Sequence, residues 1–282
     1  MTLYLPAKMK DKEFNRFSSF IYEQVGIQLP LTKKTMLEAR LQKRLKALAI
    51  DTFEAYGNFV FSPEGREAEL VHLIDVVTTN KTDFFREPGH FDYLTQKAVP
   101  TLLAQRKSHP SQPLRVWSAG CSSGEEPYTL AMVLAEFAAA NHGFRYSILA
   151  SDISTRILET ARTAIYPEER TAAIAMHIKK NYLLRSKDRH RALVRVCPEL
   201  RSRVAFRRIN FMAPDLGIAE KMDIIFCRNV VIYFDKPTQQ ELMRKFYRQL
   251  RPGGFLFLGH SETLNGIDVD FTTVGSTVYQ KP

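Results

Sequence analysis

Along the first quarter of this chain, apolar residues recur at helical spacing. Phe14, Phe17, Phe20, Ile21 and Val25 form one stripe, and Leu37, Leu41, Leu45 and Leu48 form a second at i, i+4, i+8 and i+11. Residues 11–76 therefore read as helices with polar interruptions. After about residue 113 the pattern changes. Short apolar runs at Leu114–Ser118, Tyr146–Ser151, Val204–Ile209, Met222–Cys227 and Gly254–Gly259 alternate with helical stretches over about Glu126–Ala140, Ser154–Ala164 and Pro237–Leu250. This alternation predicts an α/β unit with a doubly wound, mostly parallel sheet. Asp235 and Pro237 mark the start of the last helix, and Pro252-Gly253-Gly254 is expected to stop it. Phe271–Val274 and Ser276–Tyr279 predict a hairpin around Gly275. Residues 181–200 break the rhythm. Asn181–Leu184 and Ala192–Val196 predict two short strands there, a β excursion before the third strand of the main sheet.

Composition adds bounds. A chain of 282 residues with 45% hydrophobic content can fill one large or two modest domains. The expected division is a helical domain over 1–76, a linker or lid over 77–112, and a sheet domain over 113–282 with its β insertion at about 181–203. Three cysteines with no CxxC pair fit a reducing cytoplasm. No apolar run approaches the ~18 residues of a spanning helix, and Met1–Pro6 lacks a signal-peptide layout. The expectation is a cytoplasmic protein without membrane insertion.

The net charge of +10 is concentrated in two segments. Residues 33–46 hold six basic residues against one acid, and residues 185–208 hold nine against two. Such patches suit an acidic protein surface or a nucleic acid, and charge alone does not choose. On the second helix Arg40 and Arg44 share a face away from the leucine stripe, with Lys43 beside them. That face is either solvated or, next to an active site, a docking surface.

The candidate chemistry gathers at the ends of the predicted strands. Trp117–Tyr128 reads as a strand, a small-residue turn and a helix start. Gly120 and Gly124 are misplaced for a dinucleotide fingerprint, and Gly120 is expected to allow close approach of a ligand. Glu125 and Glu126 at the helix N-terminus repel phosphate and suit a cationic or neutral ligand such as a sulfonium nucleoside; without a ligand they are acids favoured by the helix dipole. Asp152 ends the second strand, where an acid grips ribose hydroxyls or caps the next helix. Arg228, Asn229 and Tyr233 follow the fourth strand, on the ligand side of such a sheet. Asn80, Thr82 and Arg86, beside Phe84 and Phe85, have the make-up of a lid. Seven histidines without HxxxH or HxH spacing give no expectation of a metal site.

Together these segments resemble the chemotaxis receptor glutamate methyltransferases, the CheR family. The matching stretches are Thr78–Glu87 (TTNKTDFFRE), Val116–Thr129 (VWSAGCSSGEEPYT), Ala150–Ile153 (ASDI), Ile225–Asp235 (IFCRNVVIYFD), Gly259–Glu262 (GHSE) and Arg40–Leu48 (RLQKRLKAL). The resemblance implies a helical N-terminal domain followed by a class I, Rossmann-like, doubly wound methyltransferase domain with a small inserted antiparallel β-subdomain. It implies S-adenosyl-L-methionine as cofactor and S-adenosyl-L-homocysteine as product. By the same resemblance Asn80, Thr82, Arg86, Glu126, Asp152, Asn210, Phe211, Arg228 and Asn229 line the cofactor site. Asp152 would hold the ribose and Glu126 the amino-acid end, with Arg86 and Tyr233 nearest the transferred methyl group. Arg40, Lys43 and Arg44 would dock on the cytoplasmic helical bundle of a chemoreceptor.

The sequence departs from the family in one place. Members that bind a pentapeptide tether at the receptor's C-terminus carry a glycine-rich loop in the β-subdomain, whereas Arg185–Ala192 contains no glycine. Tether binding is therefore not expected, since positive φ becomes costly there. The basic segment around it makes another acidic contact or is solvated. A monomer without nucleic acid is the expected state. The competing functions are a methyltransferase acting on RNA or a small molecule, and a non-catalytic receptor-binding module. The run Arg228-Asn229-Val230-Val231 lacks the Asn-Pro-Pro-Tyr pattern of amino-directed nucleic-acid enzymes.

Overall fold

The computed structural model describes residues 7–105, 112–188 and 190–282. The expectations placed on Met1–Pro6, on the end of the 77–112 stretch and on Arg189 in the basic segment lie outside the described residues.

The helical stripes fold as their spacing dictates. Helices α1 (Asp11–Val25), α2 (Lys34–Leu48), α3 (Phe53–Phe61) and α4 (Pro63–Val77) bury Phe14, Phe17, Leu37, Leu41 and Leu45 in one core. Helix α1 ends at Gly26, whose φ of 72° is the left-handed cap that glycine adopts without strain. A Cβ there would lie 2.5 Å from Met212 Sδ, so this cap also lets the domain close onto its neighbour. Ser62 caps α4 by accepting from Gly65 N, with Pro63 in the first turn.

The sheet domain contains α5 (Gly89–Tyr93), α6 (Val99–Gln105), β1 (Leu114–Ala119), α7 (Glu125–Ala140), β2 (Tyr146–Asp152), α8 (Thr155–Thr163) and β3 (Ile165–Pro167). It continues through α9 (Met176–Tyr182), β4 (Leu183–Arg185), β5 (Leu193–Val196), α10 (Pro198–Arg201), β6 (Val204–Arg208), β7 (Met222–Cys227), α11 (Lys236–Gln249), β8 (Leu250–Leu258), β9 (Thr272–Gly275) and β10 (Val278–Gln280). The seven-stranded sheet has the order β6-β2-β1-β7-β8-β10-β9. Its first five strands are parallel and the closing hairpin is antiparallel. Neighbouring residues on β1 serve opposite faces, as the pleat requires. Val116 packs in the core with α7, and Trp117 packs with Phe246 of α11. Chain order reverses about β1, which opens a crevice at the carboxyl ends of β1 and β7.

Three local expectations change. The stretch expected as linker or lid is largely part of the sheet domain: Phe84, Phe91, Leu94, Ala98, Val99 and Leu102 are buried in the core with Val116 and Phe226. The triplet Pro252-Gly253-Gly254 lies inside β8, because α11 ends at Gln249 and the strand begins at Leu250; the β7–β8 register shifts between Met222 and Ile224 to absorb it. The small sheet has three strands in the order β3-β5-β4 and draws Ile165–Pro167 from ahead of the predicted excursion, while Asn181 and Tyr182 end α9.

The two domains are joined by specific bonds. Tyr22 Oη donates to Asp235 Oδ2 at 2.7 Å, Gln28 N to the Tyr233 carbonyl at 2.9 Å, and Asn210 Nδ2 to the Gln24 carbonyl at 2.8 Å. Buried Asp75 on α4 accepts from Ser154 Oγ at 2.6 Å and Thr155 Oγ1 at 3.0 Å, at the start of α8.

Candidate active site

A cavity of about 640 Å³ lies between the helical domain and the carboxyl ends of β1, β2 and β7. That size suits a small-molecule site. All nine residues expected at the cofactor border it, as do Tyr233 and Arg40. Lys43 and Arg44 do not.

The β1–α7 turn forms one wall. Gly120, Ser122 and Gly124 all have positive φ, at 85°, 49° and 97°. Gly120 N and Cys121 N both donate to the Ser151 carbonyl at 2.8 Å, tying the turn to β2. Gly120 borders the cavity, and a Cβ there would stand 2.5 Å from Val230 Cγ2, so the neighbouring turn also requires glycine at this position.

Asp152 is 8% exposed. Its Oδ2 accepts from Ser122 N at 2.9 Å and its Oδ1 from Ser154 N at 3.0 Å. Burial raises its pKa, while these amides work in the opposite direction. The two roles open to Asp152 are divided, because Ser154 is the cap of α8 and accepts from Ile157 N. The carboxylate of Asp152, fixed by two amides, remains an acceptor facing the cavity.

The paired acids also divide. Glu126 borders the cavity and accepts from Ser118 Oγ at 2.7 Å and from Arg228 Nε at 2.8 Å. Glu125 turns away and is 1% exposed, held by Ser123 Oγ and by Arg170 Nη2, each at 2.6 Å. Burial raises its pKa. The pair expected to face a cation is thus one acid at the cavity and one structural acid.

Arg228 joins this wall to the opposite one. Besides Glu126 it donates to the Arg86 carbonyl at 2.7 Å, lies 3.4 Å from Glu87 Oε2, and stacks over Phe91 and Phe226. Its Nη1 is 3.2 Å from His90 Nδ1, and Thr277 Oγ1 is 2.9 Å from His90 Nε2. Glu87, His90 and His260 therefore meet in space although no sequence spacing announces it. The cation among them is the Arg228 guanidinium, and both nitrogens of His90 are engaged. Burial, and next the charge of Arg228, lower the His90 pKa to about 4, so its ring is neutral at physiological pH.

The opposite wall is Asn80–Glu87. Phe85 and Glu87 have φ of 53° and 56°, and this strained pair flanks Arg86. Arg86 Nη1 donates to the Lys81 carbonyl at 3.3 Å. Among the described residues no acidic side chain lies within ion-pair distance of Arg86. Asn80 accepts Ser122 Oγ at its carbonyl, and Thr82 accepts Arg170 Nη2 at its own. Asn210 uses its side chain to join the domains, while Phe211 meets Trp117 edge-on and gives the cavity an aromatic wall.

The docking trio on α2 separates. Arg44 binds Glu69 through two bonds of 2.7 and 2.8 Å, with Tyr56 on the same carboxylate. Arg40 reaches the Val77 and Thr78 carbonyls and Thr79 Oγ1. Lys43 is exposed.

Sequence reasoning gave no role to Glu262, His90, Glu87 or Asp75. Glu262 lies in the quoted GHSE run, and a carboxylate three residues after glycine at a strand end was the available signal. The donor set suits a sulfonium nucleoside on chemical grounds. It offers Asp152 for ribose hydroxyls, Glu126 for an ammonium group, Phe211 and Ile153 for a base, and Arg86 and Arg228 for carboxylates.

Residues 12–78 match the family description "CheR methyltransferase, all-alpha domain", and residues 80–280 match "CheR methyltransferase, SAM binding domain". A chemotaxis protein methyltransferase of Escherichia coli is 41% identical over 271 residues, covering 96% of this chain and 91% of its own. One from Borreliella burgdorferi is 40% identical over 255 residues, covering 90% and 89%. Chemotaxis protein methyltransferase 2 of Pseudomonas aeruginosa is 39% identical over 268 residues, covering 95% and 92%. Among the described residues no helix is long and apolar enough to cross a membrane.

Proposed function

This chain belongs to the CheR methyltransferase family, and we propose that it methylates glutamate side chains on the cytoplasmic helical bundle of a chemoreceptor, forming methyl esters. It is an S-adenosylmethionine-dependent methyltransferase. When bound, that cofactor supplies an electrophilic methyl group on a positively charged sulfur and leaves as S-adenosylhomocysteine. Asp152 would accept from its ribose hydroxyls, and Glu126 would hold the ammonium of its amino-acid end. Asn80, Thr82, Asn210, Phe211, Arg228 and Asn229 line the rest of the cavity that would hold it.

The observation that carries the acceptor assignment is Arg86, a cavity guanidinium with no acidic partner among the described residues. A glutamate carboxylate is already ionised at neutral pH, so it needs no general base to become a nucleophile. What it needs is orientation, which a planar guanidinium gives through two parallel hydrogen bonds. Arg86 supplies this, with Tyr233 lining the same cavity. Holding the carboxylate on the line of displacement is the main catalytic contribution.

The basic face of α2 meets the acidic receptor bundle. Lys43 makes the direct contact, while Arg40 and Arg44 hold the helix in place through Thr79 and Glu69. The proposal involves a cytoplasmic monomer, with neither nucleic acid nor a tether peptide on the glycine-free Arg185–Ala192 loop. Incubation with methyl-labelled cofactor and receptor-bearing membranes should place label on the receptor, released as methanol in mild base. Base-stable label, or label only on added RNA, would overturn the assignment.

A further inference from the structure

Four successive amides of the turn after β7, with one from Gly259, converge on one buried carboxylate. Glu262, 4% exposed, lies beyond the end of β8 and does not border the cavity. Its Oε1 accepts from Val230 N at 2.9 Å, Val231 N at 2.7 Å and Ile232 N at 3.3 Å. Its Oε2 accepts from Asn229 N at 2.8 Å and Gly259 N at 2.6 Å. Successive amides converging on one anion form a nest, normally seen around bound phosphate. Here the anion is part of the chain. The segment it gathers carries Asn229, at a φ of 60°, together with Val230, Ile232 and Tyr233, all at the cavity. A left-handed asparagine persists only where its surroundings impose that conformation. Gly259 makes the room: a Cβ would lie 2.9 Å from both Asn229 N and Glu262 Oε2.

We propose that Glu262 is a positioning residue for methyl transfer, an internal anion that holds the Asn229–Tyr233 turn in its cofactor-binding shape. An ionised carboxylate is acceptor-only and meets all five N–H groups. An amide at the same place turns an NH2 group toward some of them. Glu262→Gln should therefore lower the hydrogen-exchange protection of the Asn229–Ile232 amides roughly 10–100-fold, the range expected for lost bonds to a charged group. Protection of β1 and β2 should be unchanged. Titration calorimetry should show weaker S-adenosylhomocysteine binding by about tenfold, one hydrogen bond's worth at this scale. With saturating cofactor, kcat should fall further, since Tyr233 moves with the turn.

Glu262→Asp keeps the charge and should restore part of the protection and binding. Wild-type exchange and binding in Glu262→Gln would overturn the proposal. If Glu262→Gln does not fold, Glu262→Asp decides: reduced protection confined to this turn supports the clamp, and wild-type behaviour refutes it. Failure of both variants to fold would assign Glu262 to folding alone and also refute it. The inference rests on the proposed site, but exchange and product binding need no receptor. A receptor that stays unmethylated by wild-type protein would therefore sink the acceptor assignment and leave the clamp standing.

Discussion

The two walls of the cavity are built by different means. The Gly120–Asp152 wall is tied by main-chain donors: Gly120 N and Cys121 N to the Ser151 carbonyl, and Ser122 N and Ser154 N to Asp152. The Asn80–Glu87 wall is held mostly by side chains that reach its carbonyls from elsewhere. Ser122 Oγ takes Asn80, Arg170 takes Thr82 and Arg228 takes Arg86. The first wall belongs to the parallel sheet and presents the acids Asp152 and Glu126 to the cavity. The second is assembled from distant parts and presents the Arg86 cation to the same cavity. On the proposed function the first wall binds cofactor and the second orients the acceptor, so substitutions should pull the two apart.

The largest effect should come from the residue that joins the walls. Arg228→Met leaves Glu126 buried beside Ser118 with no counter-charge. Breaking a buried pair from one side costs about 3–5 kcal/mol, which urea denaturation would register. Adding Glu126→Leu should recover much of that loss, because the stranded charge is then gone. A single variant losing under about 1 kcal/mol would mean that Arg228 is not the tie between the walls.

Next in size is a pair of opposed substitutions. Arg86→Ala should lower kcat about 100-fold, the usual cost of a misplaced reacting group, with little change in S-adenosylhomocysteine binding. Asp152→Ala should weaken that binding roughly 10–100-fold, as loss of hydrogen bonds from a charged group does. Calorimetry and single-turnover methyl transfer measure the two separately. Equal effects of both variants on both quantities would erase the distinction between the walls.

That distinction also explains what was legible in the sequence. Strand, turn, helix and an acid at the next strand end are local patterns, so Glu126 and Asp152 stood out at once. Asn80–Arg86 stood out as polar residues beside Phe84 and Phe85, and the stretch read as a linker or lid. Its burial depends on Phe84 and Phe91 meeting Val116 and Phe226, contacts that no local period encodes. Glu262 was hidden for the same reason, since its five donors lie on two separate turns. The basic face of α2 was legible as charge, but the commitment of Arg44 to Glu69 depends on how α2 packs against α4. Gly120 was noticed for its place beside a ligand, while its contact with Val230, more than a hundred positions away, was not legible.

A smaller effect should follow at the second wall from Arg170→Ala. Arg170 lies just after β3 and joins the small sheet to Thr82 and Glu125. Its removal should reduce kcat a fewfold and leave product binding at the first wall unchanged. A change in binding larger than the change in kcat would show that Glu125, and not Thr82, is the partner that matters.

The smallest effect is a slope with pH, and the walls should differ in its sign. His90 supports the second wall through Arg228, and its pKa is lowered from 6.5 to about 4, first by burial and then by Arg228. Between those values the unfolded chain binds a proton that the folded protein does not, so this contribution to stability falls as pH drops from about 6.5 toward 4. Asp152 runs the other way. Burial raises its pKa, so the folded protein takes up a proton before the unfolded chain does, and its contribution rises on acidification. His90→Gln keeps an acceptor for Arg228 and a donor for Thr277 but does not titrate. Its thermal midpoint should therefore fall less between pH 7 and pH 5 than that of the wild-type protein. Parallel profiles for the two proteins would show that His90 is not the group whose protonation loosens the second wall.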